Sequence, residues 1–171
     1  MLMQHLKPED LKNLTPEQLQ ELQKQNCVFC HIISGKIHSK KVYEDERVLA
    51  ILDINPASQG HVIIVPKTHA TIMPQLSREE TAHVAITTKI ISHAILKGMN
   101  CGGTSIFIAQ GIAAGQRAGH VIVHVIPREK EDGILLNPED GEKTSAIDQT
   151  SITKESPTKE IDLDELSRLM K

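Results

Sequence analysis

Aromatic residues are scarce. The 171 residues include two phenylalanines, one tyrosine and no tryptophan. Phe29, Tyr43 and Phe107 are too few to build the stacking platforms on which sheets bind single-stranded nucleic acid. A basic excess is absent too: the net charge is −3, which gives no electrostatic case for a nucleic-acid partner. No apolar run is long enough for a membrane-spanning helix. Met1-Leu2-Met3-Gln4-His5 lacks the apolar core and cleavage site of a secretory signal, so a cytoplasmic location is expected. Cysteines number three and cannot all pair. Cys27 and Cys30 form a C-x-x-C, which in a reducing compartment points to metal or redox chemistry more than to a disulfide. Cys101 is most simply a small apolar residue. Hydrophobic content, 39%, is a little low for a compact domain and implies that part of the chain lies outside the core.

What is present sorts into short strands and one long helix. Residues 1–26 are polar and helical in character. Thr15 can cap a helix that begins at Pro16, with Gln18 completing a capping box. Leu14, Leu19 and Leu22 give this segment a thin apolar stripe, as expected of an extension packed on a domain surface. Cys27 to Ile33 forms a compact apolar turn or short helix. Val42-Tyr43-Glu44 and Val48 to Leu52 form a hairpin about Asp45-Glu46-Arg47. His61 to Val65 is a strand apolar throughout, suited to burial on both faces and stopped by Pro66. Ser77-Arg78-Glu79-Glu80 opens the longest helix, reaching roughly Lys97, with Gly98 ending it. Thr104 to Ala109 is a further strand, and Gly111 to Gly119 a glycine- and alanine-rich loop.

The strand expected from His120 to Ile126 ends at Pro127. Alternation puts His120, Ile122 and His124 on one face and Val121, Val123 and Val125 on the other. The order βββαββ, with antiparallel hairpins, predicts an α+β domain of about 110 residues. Residues 130–160 are rich in charged, hydroxyl and proline residues and read as a flexible polar linker. Residues 161–171 read as a short amphipathic helix suited to docking, on this domain or on a protein partner.

Several of these stretches resemble the histidine-triad (HIT) proteins. They are Cys27-Val28-Phe29-Cys30, Tyr43-Glu44-Asp45, Leu52-Asp53-Ile54-Asn55-Pro56, Gly60 through His69, Ala114-Gly115-Gln116, and His120-x-x-x-His124-Val125-Ile126-Pro127-Arg128. The resemblance runs over residues 27–129. It implies an α+β meander with a five-stranded antiparallel sheet, one long helix and terminal helices. It also implies a purine-nucleotide or nucleoside-monophosphate pocket, a homodimer, and chemistry at the nucleotide α-phosphate. Carried over position by position, it assigns Phe29, Ile32, Leu52, Asp53, His61, Gln116 and Arg117 to the nucleotide. Asp53 would accept the ribose hydroxyls. Bottom-up, Asp53 can equally make a turn bond, and Gln116 can equally hold a loop carbonyl.

The family signature His-φ-His-φ-His-φ-φ (φ apolar) is broken here: its middle position is Ile122. In the family that histidine attacks phosphorus. An imidazole has the lone pair for this and an isoleucine side chain has none. The resemblance also leads one to expect asparagine at Ala109 and serine or threonine at Arg117; a guanidinium can grip phosphate instead. Some branches of the family hold a structural zinc with the residues that match Cys27, Cys30, His69 and His120. Two thiolates and two imidazoles suit a closed tetrahedral site. Three functions follow as expectations. One is a nucleotide-binding protein with impaired or lost nucleophilic catalysis. Another is an active hydrolase with a displaced mechanism through His124 or His61. The third is a zinc-stabilised interaction scaffold.

Overall fold

The computed structural model describes residues 14–134. The helix expected over 161–171 and nearly all of the linker expected over 130–160 lie outside the described residues. The first helix, α1, spans Pro16–Gln25, and the capping box between Thr15 and Gln18 forms as expected. A short helix, α2, follows at Val28–Ile33 with Cys27 as its N-cap. Strands β1 (Lys41–Glu44), β2 (Val48–Leu52) and β3 (Val62–Pro66) come next. Helix α3 spans Arg78–Met99, and strands β4 (Gly103–Phe107) and β5 (Val123–Arg128) complete the domain. The sheet has five antiparallel strands in the order β1-β2-β3-β5-β4. Among the described residues no helix is long and apolar enough to cross a membrane.

The three central strands have apolar side chains on both faces, and the alternation divides them cleanly. Val48, Ala50, Val62, Ile64, Val123 and Val125 pack with Val84, Ile91 and Ile95 of α3. Leu49, Ile51, Ile63 and Val65 pack with Cys27, Phe29 and Ile32 around α2. Each helix therefore covers one face, which is why the His61–Val65 run carries no polar alternation. The long helix begins as expected, with a Ser77–Glu80 capping box worth about 1 kcal/mol. It ends later than the sequence suggests. Gly98 remains helical, and Asn100 takes the left-handed conformation (φ 52°) that asparagine tolerates better than most residues.

Two prolines differ from their expected role as strand stops. Pro66 pairs with Val48 and Pro127 with Thr104, so both lie inside strands. The β3–β5 pairing ends at Ile64 on one strand and at Val125 on the other. Each proline thus has a neighbour on one side only, where its missing N–H costs little. Their carbonyls serve side chains instead. Pro66 O accepts from His120 Nε2 (2.9 Å), and Pro127 O accepts from Ser58 Oγ (2.7 Å).

The expected start of the signature strand is also corrected. Residues 120–122 lie outside β5, because Val121 N–H donates to Ala70 O (2.7 Å) and the ladder begins only at Val123. Likewise β4 ends at Phe107 and leaves Ala109 in the loop.

Gly60 turns the chain into β3 at φ +82°, and a Cβ there would meet Met99 Sδ and Cε. The Met99 side chain can swing away, but the backbone conformation cannot change. Gly60→Ala is expected to lower unfolding free energy by about 1–2 kcal/mol. Urea titration checks this, and an unchanged midpoint would refute the turn's need for glycine.

Candidate functional site

Two histidine clusters form on the α2-covered face of the sheet. The first gathers Cys27, Cys30, His69 and His120, whose donor atoms all lie within 4.8 Å of one another. Cys27 is the cap of α2 and Cys30 stands one turn into it. His69 leaves β3, and His120 precedes β5. The His120 Nε2–H donates to Pro66 O, so the lone pair of Nδ1 faces the thiols. Nδ1 lies 3.4 Å from Cys27 Sγ and 3.8 Å from Cys30 Sγ. His69 Nδ1 lies 3.2 Å from Cys30 Sγ, while its Nε2 is buried without a partner. Ideal zinc–sulfur and zinc–nitrogen bonds give a tetrahedron with edges of about 3.4–3.8 Å. The donor set and its spacing therefore fit a tetrahedral ion such as zinc.

Burial disfavours the charged forms of Cys30, His69 and His120 in the bare protein. His120 is lowered to about 4 by burial, only partly offset by the Pro66 bond. His69 is lowered by burial and then by Lys24. The Cys30 thiol is pushed up to about 12 by burial and then by Cys27. An incoming cation would displace the thiol protons and remove that penalty.

The second cluster is Asp53, His61 and His124. Asp53 N–H donates to His61 O (3.0 Å), which pins the loop 53–61 at its base. Ala57 N–H donates to His61 Nδ1 (3.2 Å). That bond fixes the tautomer: His61 carries its proton on Nε2 and donates it to His124 Nδ1 (3.0 Å). The proton of neutral His124 then sits on Nε2. Asp53 Oδ1 accepts from Asn55 N–H in a turn bond, and its Oδ2 lies 3.7 Å from His61 Nδ1 and 3.9 Å from His124 Nδ1. These three residues can also meet a metal ion, but only by breaking the imidazole–imidazole bond. As arranged, the two imidazoles share one directional hydrogen bond, from His61 to His124, with the Asp53 carboxylate beside them.

Burial, and then His61, lower His124 to about 4 against a partial offset from Asp53. His61 is lowered by burial against the opposing pull of Asp53. An unfolded imidazole titrates near 6.5, so between pH 6.5 and 4 the unfolded chain binds the extra proton. This contribution to stability is present above pH 6.5 and is lost as pH falls toward 4. Wild type is expected to lose on the order of 3 kcal/mol relative to His124→Asn over that interval. Urea melts of both at several pH values test this, the metal ligands being common to the pair. A pH-independent difference would overturn it.

The structure places the remaining sequence candidates as follows. Phe29 and Ile32 are buried in the α2 cluster, and the Phe29 ring lies 6.0 Å from that of His120. The other phenylalanine, Phe107, lies 6.1 Å from His124. Leu52 is exposed at the end of β2, and Arg117 is exposed in the glycine-rich loop. Ile122 is half-buried and packs against the α2 cluster, on the side of the sheet where His124 pairs with Ile63. Gln116 binds the chain itself: its Nε2 donates to Thr71 O and Ala118 O, and its Oε1 accepts from Gly111 N–H. Nothing local in the sequence marks the direct His61–His124 bond, a contact 63 positions apart.

Comparison with known proteins agrees with this geometry. A family model described as HIT domain matches residues 34–131. An uncharacterized HIT-like protein of Borreliella burgdorferi is 44% identical over 111 residues, covering 63% of this chain and 79% of that protein. Adenylylsulfatase HINT3 of Arabidopsis thaliana is 38% identical over 107 residues, which cover 63% of this chain and 54% of that protein. A Zn-bound histidine triad family protein from Mycobacterium smegmatis superposes with a TM-score of 0.63 at 36% identity, over 70% of this chain and 86% of that one. A HIT family protein from Bacillus anthracis gives 0.63 at 32% identity, over 85% and 92%.

Proposed function

The chain belongs to the histidine-triad family, and on that premise we propose that it binds a purine nucleotide without the family's nucleophilic catalysis. The observation that carries this reading is Ile122: an aliphatic side chain at the nucleophile position, half-buried against the α2 cluster. The base would lie near Phe29, Ile32 and Leu52, the ribose at Asp53, and the phosphate between the glycine-rich loop and the His61–His124 pair. His124, neutral with its proton on Nε2, suits donation of a hydrogen bond to a phosphate oxygen. It is poorly suited to accept a proton from water, which weighs against the displaced mechanism.

The name of the Arabidopsis relative favours an adenylyl ligand, so AMP is the first to test. Zinc, held by Cys27, Cys30, His69 and His120, would be structural: four protein donors leave no open position. In this reading residues 27–129 form the nucleotide-binding domain, with 1–26 as an extension and residues beyond 129 as linker and docking helix. The protein would be cytoplasmic and pair with a second copy. Half-exposed Ile86 and Ile90 on α3, with Ile106 on the α3-covered face of edge strand β4, offer an apolar surface for that contact.

Calorimetry with AMP and GMP tests the proposal, with turnover of an adenosine phosphoramidate followed in the same sample and mass by light scattering. Binding with no turnover is expected. Turnover abolished by His124→Ala would replace this reading with the hydrolase. No binding of either nucleotide would leave the zinc-stabilised scaffold.

A further inference from the structure

We infer that Gln116 is a positioning residue that couples the Cys27–Cys30–His69–His120 centre to the glycine-rich loop. The idea rests on the proposed function only for what that loop serves. Its basis is a set of cross-links between two segments. The Gln116 Nε2 amide donates to Thr71 O (2.6 Å), two residues beyond His69, and to Ala118 O (2.8 Å), two residues before His120. The carbonyl of His120 itself lies 3.4 Å from the same nitrogen. The opposite end of the side chain accepts from Gly111 N–H (2.7 Å), and Gln116 N–H returns to Gly111 O (3.1 Å).

Neighbouring bonds run in parallel. Val121 N–H donates to Ala70 O (2.7 Å), and Met73 N–H donates to Gln110 Oε1 (3.0 Å). The segment after His69 and the segment before His120 are therefore laced together, and a single half-buried amide carries the lacing into the loop. Gly111 and Gly115 both hold positive φ (89° and 82°), so the loop's shape depends on where those hydrogen bonds pull it. A metal that fixes the His69 and His120 backbones fixes the three acceptors of Gln116, and with them the loop. Thermodynamic linkage makes the effect reciprocal: whatever the metal does for the loop through Gln116, Gln116 does for metal retention.

The test uses the full chain loaded with zinc and a competing chelator, with no nucleotide present. Gln116→Glu keeps the acceptor for Gly111 and turns the donor arm into a charge that repels the carbonyls. Gln116→Met keeps the length and removes both arms. Each is expected to weaken zinc retention at least ~5-fold. Ile112→Ala, at a loop residue 93% exposed, is expected to retain zinc as wild type does.

Amide hydrogen exchange gives the second readout. Zinc withdrawal is expected to speed exchange over 110–119 in wild type, relative to the α3 peptides. In Gln116→Met exchange there is expected to be fast with or without zinc. A purely structural glutamine would loosen the loop equally in both states and leave its zinc response intact. That outcome overturns the proposal, as does zinc retention within twofold of wild type in both variants, or equal loss in Ile112→Ala. Because no nucleotide enters, failure here leaves the binding proposal standing, and absence of AMP binding leaves this one standing.

Discussion

Ile122→His is expected to give the protein the nucleotidyl-transfer activity that the proposed function denies the parent. The substitution restores an imidazole between His120 and His124, in a half-buried position beside the His61–His124 pair. Burial that holds those neighbours neutral would hold the new ring neutral too, leaving a lone pair to attack phosphorus near pH 7. Loss of a nucleophile elsewhere costs on the order of 10⁶-fold in rate. Recovery of even a small part of that should raise turnover of an adenosine phosphoramidate by at least ~10²-fold over wild type. Acid quench should then trap a nucleotidyl-histidine. If the variant binds AMP as well as the parent and stays inert, the loop carrying Ala109 and Arg117 has diverged along with the nucleophile. In that case restoring the histidine alone is not enough for turnover.

Removing the metal has the other large expected effect. Elemental analysis of chain purified without chelator should return about one zinc per chain, the count that four donors in one tetrahedral site allow. Chelation should lower the melting temperature by at least ~10 °C, because the site ties the α2 cap, the β3 exit and the approach to β5 into one centre. Withdrawal leaves His120 and His69 buried around two thiols. Cys27→Ser and His120→Asn should each reproduce the loss and become insensitive to chelator. His124→Asn should keep both zinc and chelator sensitivity. A melt indifferent to chelator, from protein holding no zinc, would refute the centre.

The elements were legible wherever local chemistry decides them. Capping boxes at Thr15 and Ser77 located two helix starts, and the continuous apolar run before Pro66 located the central strand. Boundaries were lost wherever tertiary contacts decide. Pro66 and Pro127 seemed to end strands because a sequence does not show which side of a strand is paired. His120 seemed to begin one because β-branched residues follow it, yet Ala70 captures Val121 first. Of the four candidate metal ligands, spacing marks only the Cys27–Cys30 pair; His69 and His120 could be named because the HIT resemblance implies them. The His61–His124 bond could not, since it depends on a backbone N–H at Ala57 that fixes a tautomer. Nor could the role of Gln116, whose partners are mainly carbonyls that every residue possesses.

The division of the sheet by parity decides which substitutions it tolerates. Along β3 and β5, alternate residues answer to different demands. Val62, Ile64, Val123 and Val125 need only fill space beneath α3, and aliphatic exchange there should be tolerated at modest cost. Ile63 and His124 sit across the ladder from each other on the face that carries both histidine clusters. Each strand thus answers two independent demands, interleaved at a period of two. A change of chemistry at Ile122, just ahead of β5, therefore leaves untouched every residue that holds the sheet to α3.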